Sequence, residues 1–118
     1  MRRGILLLTF IIVTVVQVFA QNDYYRKKAD GYTREAEYYQ RKADNYRREA
    51  EYYLKKAAGY EKEAAYYLKK GETSKAQTQQ NYAKNAISNA KTQMRYAKEA
   101  DDKAAMYLRQ AAEALRHR

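Results

Sequence analysis

Four tyrosine doublets recur every fourteen residues, Tyr24-Tyr25, Tyr38-Tyr39, Tyr52-Tyr53 and Tyr66-Tyr67, and phenols are the most chemically capable groups in this chain. A phenol donates and accepts hydrogen bonds and stacks on sugars or other rings. It also loses an electron readily, giving catechols or carbon-coupled dityrosine. The sequence holds 14 Tyr and no Cys, and His117 is its single histidine. Nucleophile-base pairs and zinc centres draw on Cys or on several His, so neither has candidates here. No oxygen-rich calcium loop is present. His117 reads as a cation at a helix C-terminus. Asp101, beside Asp102, reads as a polar seam residue that sets register against a Lys or Arg of another helix, ahead of a reading as a cation ligand. The expectation is a protein that is not an enzyme and needs no cofactor or metal.

The element that must position these phenols is legible in the spacing. Tyr recurs every seven residues from Tyr25 through Tyr32, Tyr39, Tyr46, Tyr53 and Tyr60 to Tyr67, and Ala follows four residues later at Ala29, Ala36, Ala43, Ala50, Ala57 and Ala64. Alternating steps of three and four keep two positions on one stripe of an α-helix, so this is a heptad with Ala at a and Tyr at d. The Ala row and the Tyr row from Ala29 to Tyr67 form the expected seam. The first doublet members, Tyr24, Tyr38, Tyr52 and Tyr66, fall at c, where the seam does not need them. They read either as a widening of the apolar stripe for further helices or as exposed phenols for surface contact and cross-linking. Each acid at b precedes a base at f by four residues from Asp23 to Glu51, the favoured order for a helical ion pair. Position g alternates Lys28, Glu35, Lys42, Glu49, Lys56, Glu63 and Lys70, a pattern that fits either charge matching with another helix or a solvated face.

The first twenty residues differ in kind. Arg2 and Arg3 precede an apolar run from Ile5 to Val16, and small residues favour cleavage after Ala20, which reads as a secretory signal peptide rather than a membrane span. Nearly all Val, Ile and Phe lie in it, so the remainder cannot build an ordinary globular core. Secretion without cysteine leaves stability to helix propensity, association or covalent chemistry on other side chains. With Arg2 and Arg3 removed, the net charge falls from +10 to about +8, a basic balance that points outside the cell towards acidic polysaccharide or acidic matrix protein.

The heptad breaks at Gly71-Glu72-Thr73-Ser74, where Gly71 can close one helix in a left-handed conformation and Thr73 or Ser74 can cap the next. Beyond it Ala76, Ala83, Ala90, Ala97, Ala104 and Ala111 recur every seven, with Ile87, Met94, Asp101, Leu108 and Leu115 four residues after the later ones. The fourteen-residue habit persists from Tyr82 and again from Tyr96. The predicted organisation is therefore a signal peptide over 1–20, a Tyr/Ala repeat helix over 21–70, a turn over 71–75 and an Ala-rich helix over 76–118. The expected fold is all-α: two long heptad-repeat helices in an antiparallel coiled-coil hairpin with Ala rows face to face, one uninterrupted helix being the alternative.

The Ala-rich, cysteine-free heptads from Tyr25 to Leu115 resemble the coiled-coil silks of bees and ants, and the short, basic, Tyr-rich composition is similar to shell-matrix, byssal and cuticle proteins. That resemblance implies a structural role. The expectation is self-association of a secreted protein into an extracellular matrix of shell, fibre or adhesive type, the alternative being a cationic secreted binding or host-defence protein on anionic surfaces. Nucleic acid is not expected, because the acids at b and secretion argue against it. Contact with membrane is expected only through the signal peptide, since the helix face is Ala and Tyr rather than Leu, Phe or Trp.

Overall fold

The computed structural model describes the backbone of residues 2–117 and the side chains of residues 22–117. The expected 1–20 signal peptide lies outside the described side chains. Among the described residues the chain is all-α, with helix α1 over Arg2–Lys69 and helix α2 over Thr73–Arg116, and no strand. Ala, Glu, Lys, Arg and Gln recur throughout both helices, and both run far beyond the roughly 12–15 residues below which isolated helices are marginal. Threonines inside the helices return their hydroxyls to the carbonyl four residues back, as Thr33 does to Ala29 at 2.9 Å.

Helix α1 stops through its own backbone. Gly71 adopts φ 77°, the left-handed conformation that costs a side chain but not glycine. With it in place, the Glu72 amide donates to the Tyr67 carbonyl at 2.9 Å and the Gly71 amide to Leu68 at 3.1 Å, a Schellman closure that satisfies carbonyls the helix would otherwise orphan. The expected turn over 71–75 contracts to residues 70–72. Thr73 and Ser74 lie inside α2 instead of capping it, because the Glu72 carbonyl already accepts the first helical bond, from the Ala76 amide at 3.1 Å.

The chain forms two compact units, one of Tyr39–Lys103 and one of Met1–Tyr38 with Ala104–Arg118. In Tyr39–Lys103 the chain doubles back at Gly71, and the ring pairs Tyr60–Tyr82 and Tyr46–Tyr96 show the antiparallel sense: fourteen residues back along α1 is fourteen forward along α2. In the other unit the pairs Tyr32–Tyr107 and Tyr25–His117 show the same sense. The core of each is small. Ala57, Ala83 and Ala86 cluster in the first, with Tyr60 and Ile87 against them; Ala29, Ala111 and Ala114 cluster in the second, with Tyr32 against them. Every buried side chain among the described residues is alanine. Methyl against methyl lets the helix axes approach closely, while each buried methyl contributes only about 0.8 kcal/mol.

Candidate functional site

The alanine row and the two tyrosine rows of the repeat separate by exposure. All six seam alanines of α1, from Ala29 to Ala64, are buried, Ala36 and Ala43 completely. The d-position tyrosines from Tyr25 to Tyr67 are half-buried. They flank the seam rather than fill it, because Ala-on-Ala contact leaves no space for a ring between the backbones. The c-position rings are the exposed ones: Tyr24, Tyr38, Tyr52 and Tyr66 are 60%, 44%, 51% and 49% exposed.

Helix α2 meets four of the d-position rings with a ring of its own. Tyr60 meets Tyr82 and Tyr46 meets Tyr96, both with centroids 5.5 Å apart and planes tilted by 52° and 54°. Tyr32 stacks on Tyr107 at 6.3 Å and Tyr25 on His117 at 5.5 Å. His117 thus packs its ring on a phenol just past the helix end. Between successive d rings lies a recurring slot floored by one alanine of α2. Ala86 floors the slot between Tyr53 and Tyr60, a cavity of about 160 Å³. Ala100 floors that between Tyr39 and Tyr46, about 120 Å³. In the other unit Ala114 floors that between Tyr25 and Tyr32, about 230 Å³. Lys28, Lys42 and Lys56, seven-residue partners of glutamates at g, line the three slots in turn.

Those lysines serve rings as well. Within three of the doublets the two rings meet edge to face, at 5.2 Å for Tyr24–Tyr25, 5.5 Å for Tyr52–Tyr53 and 5.6 Å for Tyr66–Tyr67. The lysine four residues after the first ring then swings over its face: Lys56 lies 4.8 Å from the Tyr52 centroid and Lys70 lies 4.4 Å from that of Tyr66. A hydrogen bond with the Tyr52 phenol, with its charge interaction behind it, holds the Lys56 ammonium above its ordinary range. Lysines at g therefore follow c-position tyrosines, while Glu35, Glu49 and Glu63 follow Gly31, Asn45 and Gly59. Neither Gly31 nor Gly59 has any atom within 4 Å of where a Cβ would stand, so packing within the chain does not require either glycine.

Charged contacts are superficial. Of the expected b–f pairs, Asp23–Lys27 closes at 3.3 Å and Glu51–Lys55 at 3.7 Å. Arg47 donates to Asp44 at 2.8 Å and also to Asp101 across the helices, which gives Asp101 the basic partner its place in the heptad suggests. Both side chains of that cross-helix pair are 43% exposed, so its effect on stability is small.

The second row of α2 is where sequence reasoning missed. Ile87, Met94, Asp101, Leu108 and Leu115 suggested themselves as its large members, yet Met94, Leu108 and Leu115 are exposed and Ile87 and Asp101 half-buried. The buried row lies three residues after Ala83, Ala97 and Ala111, at Ala86, Ala100 and Ala114. The d-position rings of α1 occupy the flank, and each of these alanines lies at the slot between two of them. Tyr82 and Tyr96, also unassigned beforehand, head the two repeats of α2, and their fourteen-residue interval was the available signal.

Among the described residues no group of three or more His, Cys, Asp or Glu could hold a metal ion, and no helix is long and apolar enough to cross a membrane. No family model, no curated protein and no solved structure matches the chain.

Proposed function

We propose that this is a secreted structural protein, cleaved after a 1–20 signal peptide and folded as an antiparallel coiled-coil hairpin, that self-associates through its outer tyrosines into an extracellular matrix of shell, fibre or adhesive type. The observation that carries this reading is the row Tyr24, Tyr38, Tyr52 and Tyr66, four exposed rings at a fixed fourteen-residue interval. Large exposed rings in register supply apolar contact area for another molecule. Acidic polysaccharide or acidic matrix protein suits the net charge of about +8 that remains when Arg2 and Arg3 leave with the signal peptide, as a further component.

Serine at all four positions tests the proposal. The variant should keep the helical circular dichroism of the parent and lose concentration-dependent assembly in light scattering. Unchanged assembly of that variant, together with loss of binding to anionic vesicles when Lys27, Arg34, Arg41 and Arg48 are replaced by Gln, would favour the cationic surface-binding protein instead.

A further inference from the structure

We propose that the cross-helix tyrosine pairs, Tyr60–Tyr82 first and Tyr46–Tyr96 second, are sites of intrachain oxidative coupling, so that dityrosine staples the two helices where a secreted chain would ordinarily use a disulfide. These are not the c-position phenols that face outward. Each pair joins a d-position ring of α1 to a ring of α2 with centroids 5.5 Å apart, and Tyr82 and Tyr96 are 48% and 38% exposed, open to an oxidant in solvent. A tilt of 52° or 54° leaves neither pair parallel, and rotation about the two side-chain torsions of each tyrosine brings ring edges together without moving a helix.

The choice among tyrosines follows from charge. Removing an electron from a phenol places positive charge on the ring until its proton leaves, and a cation over the ring face opposes that step. Lys56 lies over Tyr52, Lys70 over Tyr66, and Lys42 and Lys103 over Tyr39. Among the described residues no such cation lies over Tyr60 or Tyr82. In the second pair the Arg95 guanidinium is 5.6 Å from the Tyr96 ring, which ranks it behind the first. The neighbouring rings of a doublet couple without joining separate parts of the chain, and cation cover over Tyr52 and Tyr66 slows them.

The chemistry needs a one-electron oxidant, for which a haem peroxidase with hydrogen peroxide is the class we name. Each phenol gives up one electron and one proton, leaving two phenoxyl radicals with spin density on the carbons ortho to oxygen. Those carbons form one C–C bond, and the hydrogen on each then moves to its oxygen, restoring both aromatic rings as phenols. Per staple, two electrons and two protons reduce one hydrogen peroxide to two waters.

The test uses the whole soluble chain at low micromolar concentration, oxidised with peroxidase and limiting peroxide, digested with trypsin and mapped by mass spectrometry. The expected main product joins the peptide from Ala57 to Lys62 to that from Ala76 to Lys84 with two hydrogens lost, in protein that still migrates as a monomer. Dityrosine fluorescence per chain should not change on tenfold dilution. Tyr82→Phe, which keeps the ring, should abolish that product, whereas Tyr96→Phe should leave it and remove the junction of the peptide from Ala43 to Arg47 to that from Tyr96 to Lys98. Coupling that falls in proportion to dilution, products joining different chains, or products confined to Tyr52–Tyr53 and Tyr66–Tyr67 would each overturn the proposal. Assembly of unoxidised protein is a separate readout, so the staple and the matrix role stand or fall independently.

Discussion

Tyr52 and Tyr53 are neighbours with different work. Tyr53 lies half-buried beside the slot above Ala86, while Tyr52 is 51% exposed under the Lys56 ammonium. Tyr53→Ser should therefore cost about 1–2 kcal/mol, less than the 1.5–3 kcal/mol of a fully buried aromatic, and Tyr52→Ser should stay within about 0.5 kcal/mol, both by urea denaturation. Asp23 offers a pH test. The hydrogen bond and charge of Lys27, and then those of Arg26, hold its carboxyl below its ordinary value of 3.8. A lowered folded pKa means that the contribution is complete above the ordinary carboxylate range and is lost as pH falls through the lowered value. Carboxyl titration by NMR should show the depressed midpoint in the parent and its return upward in Lys27→Gln. An unchanged midpoint in that variant would remove Lys27 as the main cause.

At the level of elements, two glycines of the same chain should respond oppositely. Gly71→Ala forces a side chain into φ 77° and should destabilise by about 1 kcal/mol or more, whereas Gly59→Ala, in a helix interior with open space around it, should stabilise by about 1 kcal/mol. The alanines of α2 divide likewise. Ala97→Leu enlarges a residue that is 2% exposed in the helix contact and should cost about 1–3 kcal/mol. Ala100→Leu grows into the cavity of about 120 Å³ between Tyr39 and Tyr46 and should cost less than Ala97→Leu in the same urea series. The first helix was readable because its a row is Ala throughout, and the break was readable because only Gly71 can take the left-handed turn. The burial pattern of α2 was not. A residue's rank as large and apolar says where it would go on a free helix, yet Leu108 and Leu115 are exposed while the smaller Ala100 and Ala114 are buried. The facing of Tyr46 with Tyr96 and of Tyr60 with Tyr82 depends on the antiparallel register, which the closure at residues 70–72 sets and which no local period of α2 contains.

For the molecule as a whole, the net charge of about +8 left after cleavage opposes association between copies, while the exposed tyrosines favour it. Salt separates the two effects, because the screening length falls from about 30 Å at 0.01 M to about 8 Å at 0.15 M. Assembly through tyrosine should strengthen over that range in sedimentation, and binding to anionic vesicles should weaken; assembly that dissolves as salt rises would argue for a charge-held complex. Secreted material should begin at Gln21 when its N-terminus is read by mass spectrometry, with or without cyclisation to pyroglutamate. The outer row has one more consequence. Along it Tyr24, Tyr38, Tyr52 and Tyr66 alternate with Gly31, Asn45 and Gly59, so each ring is offset by seven residues from a glycine, and the middle gap holds only the short Asn45. Two such faces laid together behave as a ratchet. Rings drop into gaps at a stagger of about 10.5 Å and again after each further 21 Å, and intermediate offsets set ring against ring. A matrix built this way would have an axial period near 21 Å written into its diffraction, and sliding under load would proceed by discrete clicks instead of continuous creep.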